Sequence, residues 1–129
     1  MVSLSYGSGN VRGKNIHEHV CLHDICASNL SMLLATSGID ALIVDGILGL
    51  SPVQIGHRGS ELFISKAVEQ GAIDKAIFSL SIGKNEEPST LTLGGYDLEQ
   101  FATTDLNWHS IKSDSPYWAV NPASFKFGN

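Results

Sequence analysis

"VDGILGLS", Val44 to Ser51, sets an aspartate at the head of a run apolar enough to be buried, with Gly46 and Gly49 three residues apart. A carboxylate beside a buried segment is tolerated only when it is hydrogen-bonded or close to water. The stretch therefore asks what lies around it, and the rest of the chain is the place to look.

The 129 residues suit one ordinary domain. An apolar share of 43% is enough for a core and too high for a disordered chain. The 13 glycines exceed average usage of about 7% and favour a turn-rich β protein. Net charge is -5, with only eight scattered basic residues, which argues against nucleic acid as a partner. No apolar run approaches the roughly 18 residues of a membrane span. The opening "MVSLSYGSGN" lacks the basic start and apolar stretch of a signal peptide and reads like the middle of a strand.

Upstream, "SLSYGSGNVRG" places two strand-like pieces around Gly7, Ser8 and Gly9, a hairpin signal. In "VCLHDIC", a two-residue turn at His23-Asp24 makes Leu22 and Ile25 a hydrogen-bonded pair. Cys21 and Cys26 then face each other at a non-hydrogen-bonded site with Cα atoms about 4.5 Å apart, near the short end of disulfide spacing. Residues 28 to 44 read as a long strand broken at "TSGID".

Downstream, "GSELFISKAVEQGAI" reads as a helix. Ser60 is its expected N-cap, Leu62, Phe63, Ala67 and Val68 its buried stripe, and Gly71 its stop. "IFSLSI" and "TLTLGG" alternate as strands around the polar turn "KNEEPS". "LNWHSI" and "PYWAVNPASFKFG" predict further strands, with Trp108 and Trp118 as core anchors.

Four candidate chemistries deserve comparison. "HEHVCLHDIC" offers His17, His19, Cys21 and Cys26 as zinc ligands, but no finger or ribbon has this spacing, and neighbours along one strand face sit about 6.6 Å apart. A disulfide-closed hairpin with exposed histidines is the simpler reading. "GSGNVRGK" lacks the Gly-Lys-Ser/Thr end of a phosphate loop and is not followed by a helix pattern. No Gly-x-Ser-x-Gly elbow supports a serine triad. "Asn29-Leu30-Ser31" is a glycosylation sequon and, with the paired cysteines, favours an oxidising compartment.

Five blocks then line up in order with one family. "YGSG" with Gly13, "VDGILGLS", "FSLSIG", "LTLGGYD", and "LNWHSI" with "YWAV" resemble the pepsin-like aspartic endopeptidases of the pepsin and cathepsin D type. The resemblance implies a mainly β, bilobal architecture. Residues 1–95 would be the later part of the N-terminal lobe including its flap, and 96–129 the start of the C-terminal lobe, with one helix near 60–70. It implies an answer to the opening question. The Asp45 segment passes beneath the first-lobe catalytic aspartate, Asp45 is structural, and Gly49 lets the backbone run close to another segment. It also implies substrate-binding roles. Tyr6, Gly7 and Ser8 lie on the flap, Val44 and Ile47 beside the first-lobe pocket, and Tyr117 on the leaving-group side. The substrate would be a peptide or protein, with no metal, cofactor, nucleic acid or membrane involved and a monomeric full-length chain.

The departure from the family pattern is as informative. Catalysis needs two aspartates, each in Asp-Thr/Ser-Gly, sharing a proton. Asp24, Asp40, Asp45, Asp74, Asp97, Asp105 and Asp114 are the chain's aspartates, and none heads such a motif. The resemblance places one motif before Met1 and the other beyond Asn129. A fragment of this kind is expected to leave open sheet edges and exposed apolar faces.

Overall fold

The computed structural model describes residues 1–6, 9–38, 44–56 and 58–127. Its first unit is an antiparallel sheet of β1 (Val2–Tyr6), β2 (Gly9–Leu22) and β3 (Ile25–Ser37), in that spatial order. Tyr6 pairs with Gly9, so β1 and β2 form the expected hairpin around Gly7 and Ser8, which lie outside the described residues. Gly13 is needed here. A Cβ built on it would sit 1.9 Å from the Leu34 carbonyl oxygen, at a register shift between Arg12 and Gly13.

The His23-Asp24 turn forms as the sequence predicts. Leu22 pairs with Ile25 and Cys21 with Cys26, the cysteines form a disulfide, and their Cα atoms are 4.0 Å apart. His23 takes a φ of 56°, the positive value a two-residue hairpin turn asks of its first residue. Further along, Val20 pairs with Ala27 but Glu18 with Leu30, so β3 carries one extra residue opposite His19. This β-bulge has Asn29 at φ 55°, a conformation that asparagine tolerates better than most residues. Its effect is on packing. Ala27 and Leu30 both turn inward although three positions apart, and Ser28 and Asn29 turn outward.

Helix α1 (Phe63–Glu69) packs on this face. Phe63, 1% exposed, joins Ala27 and Leu30 as the centre of the core, and Val20, Leu22, Ile25, Ile64 and Leu93 surround it. Ala67 continues the buried stripe one turn on. The helix stops where the sequence predicts. Gly71 has φ 72°, its N–H bonds the Val68 carbonyl, and the Ala72 N–H bonds the Ala67 carbonyl, which is the Schellman arrangement.

Its start differs from expectation. The N-cap is Leu62, without a side-chain cap, and Ser60 instead accepts a hydrogen bond from Gln54 Nε2 at 2.9 Å. Glu61 explains the shift: its carboxylate is drawn to β3, where Oε2 accepts the Ser31 N–H at 2.8 Å. Lys66 Nζ bonds the other oxygen at 3.0 Å. At the far end of the helix, Gln70 closes a second clamp. Its Oε1 accepts the Ser28 N–H at 2.7 Å, and its Nε2 donates to the Ser28 carbonyl at 2.8 Å. The two side chains occupy the β3 backbone groups that a neighbouring strand would otherwise take.

A second unit pairs β4 (Phe78–Ser81) with β5 (Thr90–Leu93), antiparallel around the polar turn. The fold is mainly β, as read from the sequence. Among the described residues two helices are present where one was expected. The second, α2 (Leu98–Phe101), is a single turn whose Asp97 Oδ1 accepts the Gln100 N–H at 2.9 Å.

Two expectations need correction. "LNWHSI" and "PYWAV" form no strands; one bond from the Lys112 N–H to the Ala119 carbonyl, 2.7 Å, is where they meet. Strand geometry needs a row of partners, and among the described residues none is offered there. Trp108 and Trp118 are 73% and 57% exposed, so neither anchors a core, although each meets one aromatic neighbour edge-on: Tyr96 and Phe78 respectively.

Candidate substrate-binding surface

Recognition of an extended peptide needs an accessible backbone edge and side chains free to line a groove. Strand β1 is an edge of the three-stranded sheet, with Tyr6 at its end and 40% exposed. Tyr6 is the last residue of β1 and pairs with Gly9, the first of β2. Gly7 and Ser8, expected to share the flap role, fall outside the described residues.

The Val44–Leu50 stretch overturns the expectation of an extended segment threaded through the interior. It has no regular secondary structure, and Val44 and Ile47 are 57% and 56% exposed. Asp45 is exposed, and nothing lies within 4 Å of a Cβ built on Gly49, so the close backbone approach is not made. The physical reason is the same as for the missing strands: an apolar run is buried only by what packs on it. One contact does hold the segment. Trp118 Nε1 donates to the Leu50 carbonyl at 2.7 Å, across 68 positions of chain. Tyr117, 64% exposed, stands next to that tie.

Among the described residues, no hydrogen bond or ring pairing joins Tyr6 to Val44, Ile47 or Tyr117. The structure thus leaves these side chains exposed and links the Tyr117 region to the Val44–Leu50 segment through Trp118. It does not assemble them into one pocket. Sequence reasoning missed that role of Trp118, and nothing in "PYWAV" signals an indole hydrogen bond to a distant carbonyl.

The histidine-cysteine cluster resolves differently. Donor atoms of His19, Cys21 and Cys26 lie within 4.8 Å of one another, with His19 Nε2 3.3 Å from Cys21 Sγ. Both sulfurs are consumed by the disulfide, and His17 stands outside the cluster. Zinc takes thiolates, so the oxidised hairpin does not present the expected ligand set.

Among the described residues, the Glu61–Lys66 pair is a structural electrostatic feature. The Ser31 N–H and then Lys66 hold the Glu61 carboxyl below its usual range, and Glu61 in turn raises Lys66. These groups serve the helix–sheet clamp and not a reacting centre.

Comparison with known proteins places this architecture. The family model described as eukaryotic aspartyl protease matches residues 1–129. The chain belongs to that family. Among curated relatives, it is 31% identical to pregnancy-associated glycoprotein 4 of Ovis aries, over 91% of this chain and 31% of that protein. With pepsin A-5 of Mus musculus it shares 30% identity, over 92% of this chain and 32% of the relative. A third relative, from Trichophyton verrucosum and named "Probable vacuolar protease A", is 28% identical over 98% of this chain and 33% of its own length. The chain thus spans about a third of the curated relatives it matches.

Proposed function

We propose that these residues form the flap and part of the groove wall of an aspartic endopeptidase. Residues 1–95 would belong to the N-terminal lobe and 96–129 to the start of the C-terminal lobe. The whole enzyme would cleave internal peptide bonds with water activated between two aspartates that share one proton. One observation carries the reading: the family match covers all 129 residues, yet none of the seven aspartates begins Asp-Thr-Gly or Asp-Ser-Gly. The chain's own part is then recognition, and by itself it does not hydrolyse peptides.

Tyr6, Gly7 and Ser8 would close over an extended substrate, whose backbone pairs with the hairpin. Val44 and Ile47 would line the first-lobe pocket, and Tyr117 the leaving-group side. The exposure of Tyr6 on the edge strand supports its part, since a side chain spent in a core cannot read a substrate. Asp45 and Gly49 would take their places under the active site once the rest of the lobe packs on the segment. The Cys21–Cys26 disulfide supports an oxidising setting, secreted or vacuolar. The full-length protein would act as a monomer.

A second reading rests on the same missing motif: a relative that binds peptides without cleaving them. Assay of the purified chain on an unfolded protein at acidic pH should show no hydrolysis. Turnover that is abolished by Asp45→Asn would overturn the proposed division of labour. In the full-length enzyme, Tyr6→Ala should lower kcat/KM on the order of 10²-fold through lost substrate positioning. An unchanged kcat/KM would remove Tyr6 from the flap role.

A further inference from the structure

We propose that Asn29 carries an N-linked glycan, attached before β2 and β3 pair. The sequon Asn29-Leu30-Ser31 gives the site its chemistry, and the fold adds two observations. Asn29 occupies the β3 bulge at φ 55° and is exposed, lying between the buried Ala27 and Leu30. The extra residue of the bulge turns Asn29 out of the sheet, so a large polar attachment there meets solvent and not the core.

The third sequon residue has the opposite environment. Ser31 is 3% exposed, its hydroxyl bonds Asn15 Oδ1 at 3.1 Å, and its N–H bonds Glu61 Oε2 at 2.8 Å. A glycosyl-transferring enzyme must reach that hydroxyl together with the Asn29 amide, and the folded ladder conceals it. Addition therefore precedes folding of this sheet, and the glycan is retained because Asn29 itself stays outside.

The donor is a lipid-linked oligosaccharide diphosphate. A bond forms between the sugar's anomeric carbon and Asn29 Nδ2, while the anomeric carbon–oxygen bond to the diphosphate breaks. The lipid diphosphate leaves with the bonding electrons, and the amide proton passes to a base of the transferring enzyme. The Gly9 and His19 positions lie ten steps apart along β2, roughly 33 Å in an extended strand. The glycan thus projects at the disulfide end of the sheet, away from Tyr6, and leaves the flap unobstructed.

This inference rests on the oxidising, secretory setting proposed above. It is tested by producing the protein behind a secretory leader in a eukaryotic host. Intact mass is compared before and after an amidase that removes N-glycans, with heavy-oxygen water marking the released site. The wild type should lose a glycan mass and gain the label at position 29, and N29D, which keeps a residue tolerant of positive φ, should carry neither. Unmodified wild type, from cells that glycosylate a control protein, would overturn the site. For the order of events, bacterially produced full-length protein is offered to the transferring enzyme with its lipid-linked donor. Reduced, unfolded chain should be modified and refolded chain should not; equal modification of both would overturn the timing. Neither result bears on peptide hydrolysis, so failure here leaves the peptidase reading standing.

Discussion

Two regions of similar apolar content end up differently. In residues 1–38, with α1, alternating residues find partners: β2 pairs on both sides, and Ala27, Leu30 and Phe63 close a core. In residues 104–127, the sequence also predicts strands, yet Trp108, Phe125 and Phe127 are 73%, 86% and 95% exposed and no strand forms. Period-two hydrophobicity states a capacity to pair. Whether a strand exists depends on a neighbour that takes its backbone hydrogen bonds, which the first region supplies from adjoining strands joined by short turns.

The comparison breaks most visibly at Phe63. Phe63→Ala should lower the opening free energy of β3 amides by about 3–5 kcal/mol, measured by hydrogen exchange, because the site is fully enclosed. Phe125→Ala, at a residue 86% exposed, should leave those amides unchanged. Equal effects would erase the distinction between the two regions. Next in size, replacing Cys21 and Cys26 together by serine should cost about 2 kcal/mol in the same readout, since the disulfide closes a very short loop. No change would show that the hairpin turn alone sets the register.

The smallest effect is pH-dependent and local to the helix–sheet clamp. The folded-state pKa of Glu61 lies below its ordinary value, chiefly through the Ser31 N–H. Its contribution is therefore complete above the ordinary glutamate range and is lost as pH falls through the lowered folded value. Protection of the Ser31 amide should decline on acidification in the wild type and change less in Glu61→Gln, after correction for intrinsic exchange. Parallel curves would contradict the assignment.

What the sequence revealed follows the same division. The His23-Asp24 turn, the Cys21–Cys26 pairing and the Gly71 stop are set by residues a few positions apart, so local chemistry suffices to read them. The start of α1 departs from the Ser60 cap that local sequence predicts, because Glu61 is held by Ser31, thirty positions away. Helix α2 did have a local signal, the Asp97…Gln100 capping pair, hidden beside the Gly94-Gly95 break. For the candidate site, Tyr6, Val44, Ile47 and Tyr117 came from resemblance, and the exposure of Tyr6 on the edge strand fits that reading. Their mutual geometry was not legible, because a groove is made by segments far apart in sequence. Val44–Leu50 shows the limit most plainly: its apolar character was read correctly, and its burial was not.

Sequencing the complete transcript tests the central claim most directly. The account predicts an in-frame Asp-Thr-Gly or Asp-Ser-Gly upstream of Met1 and a second one downstream of Asn129. In-frame stop codons on both sides, with neither motif between them, would contradict it.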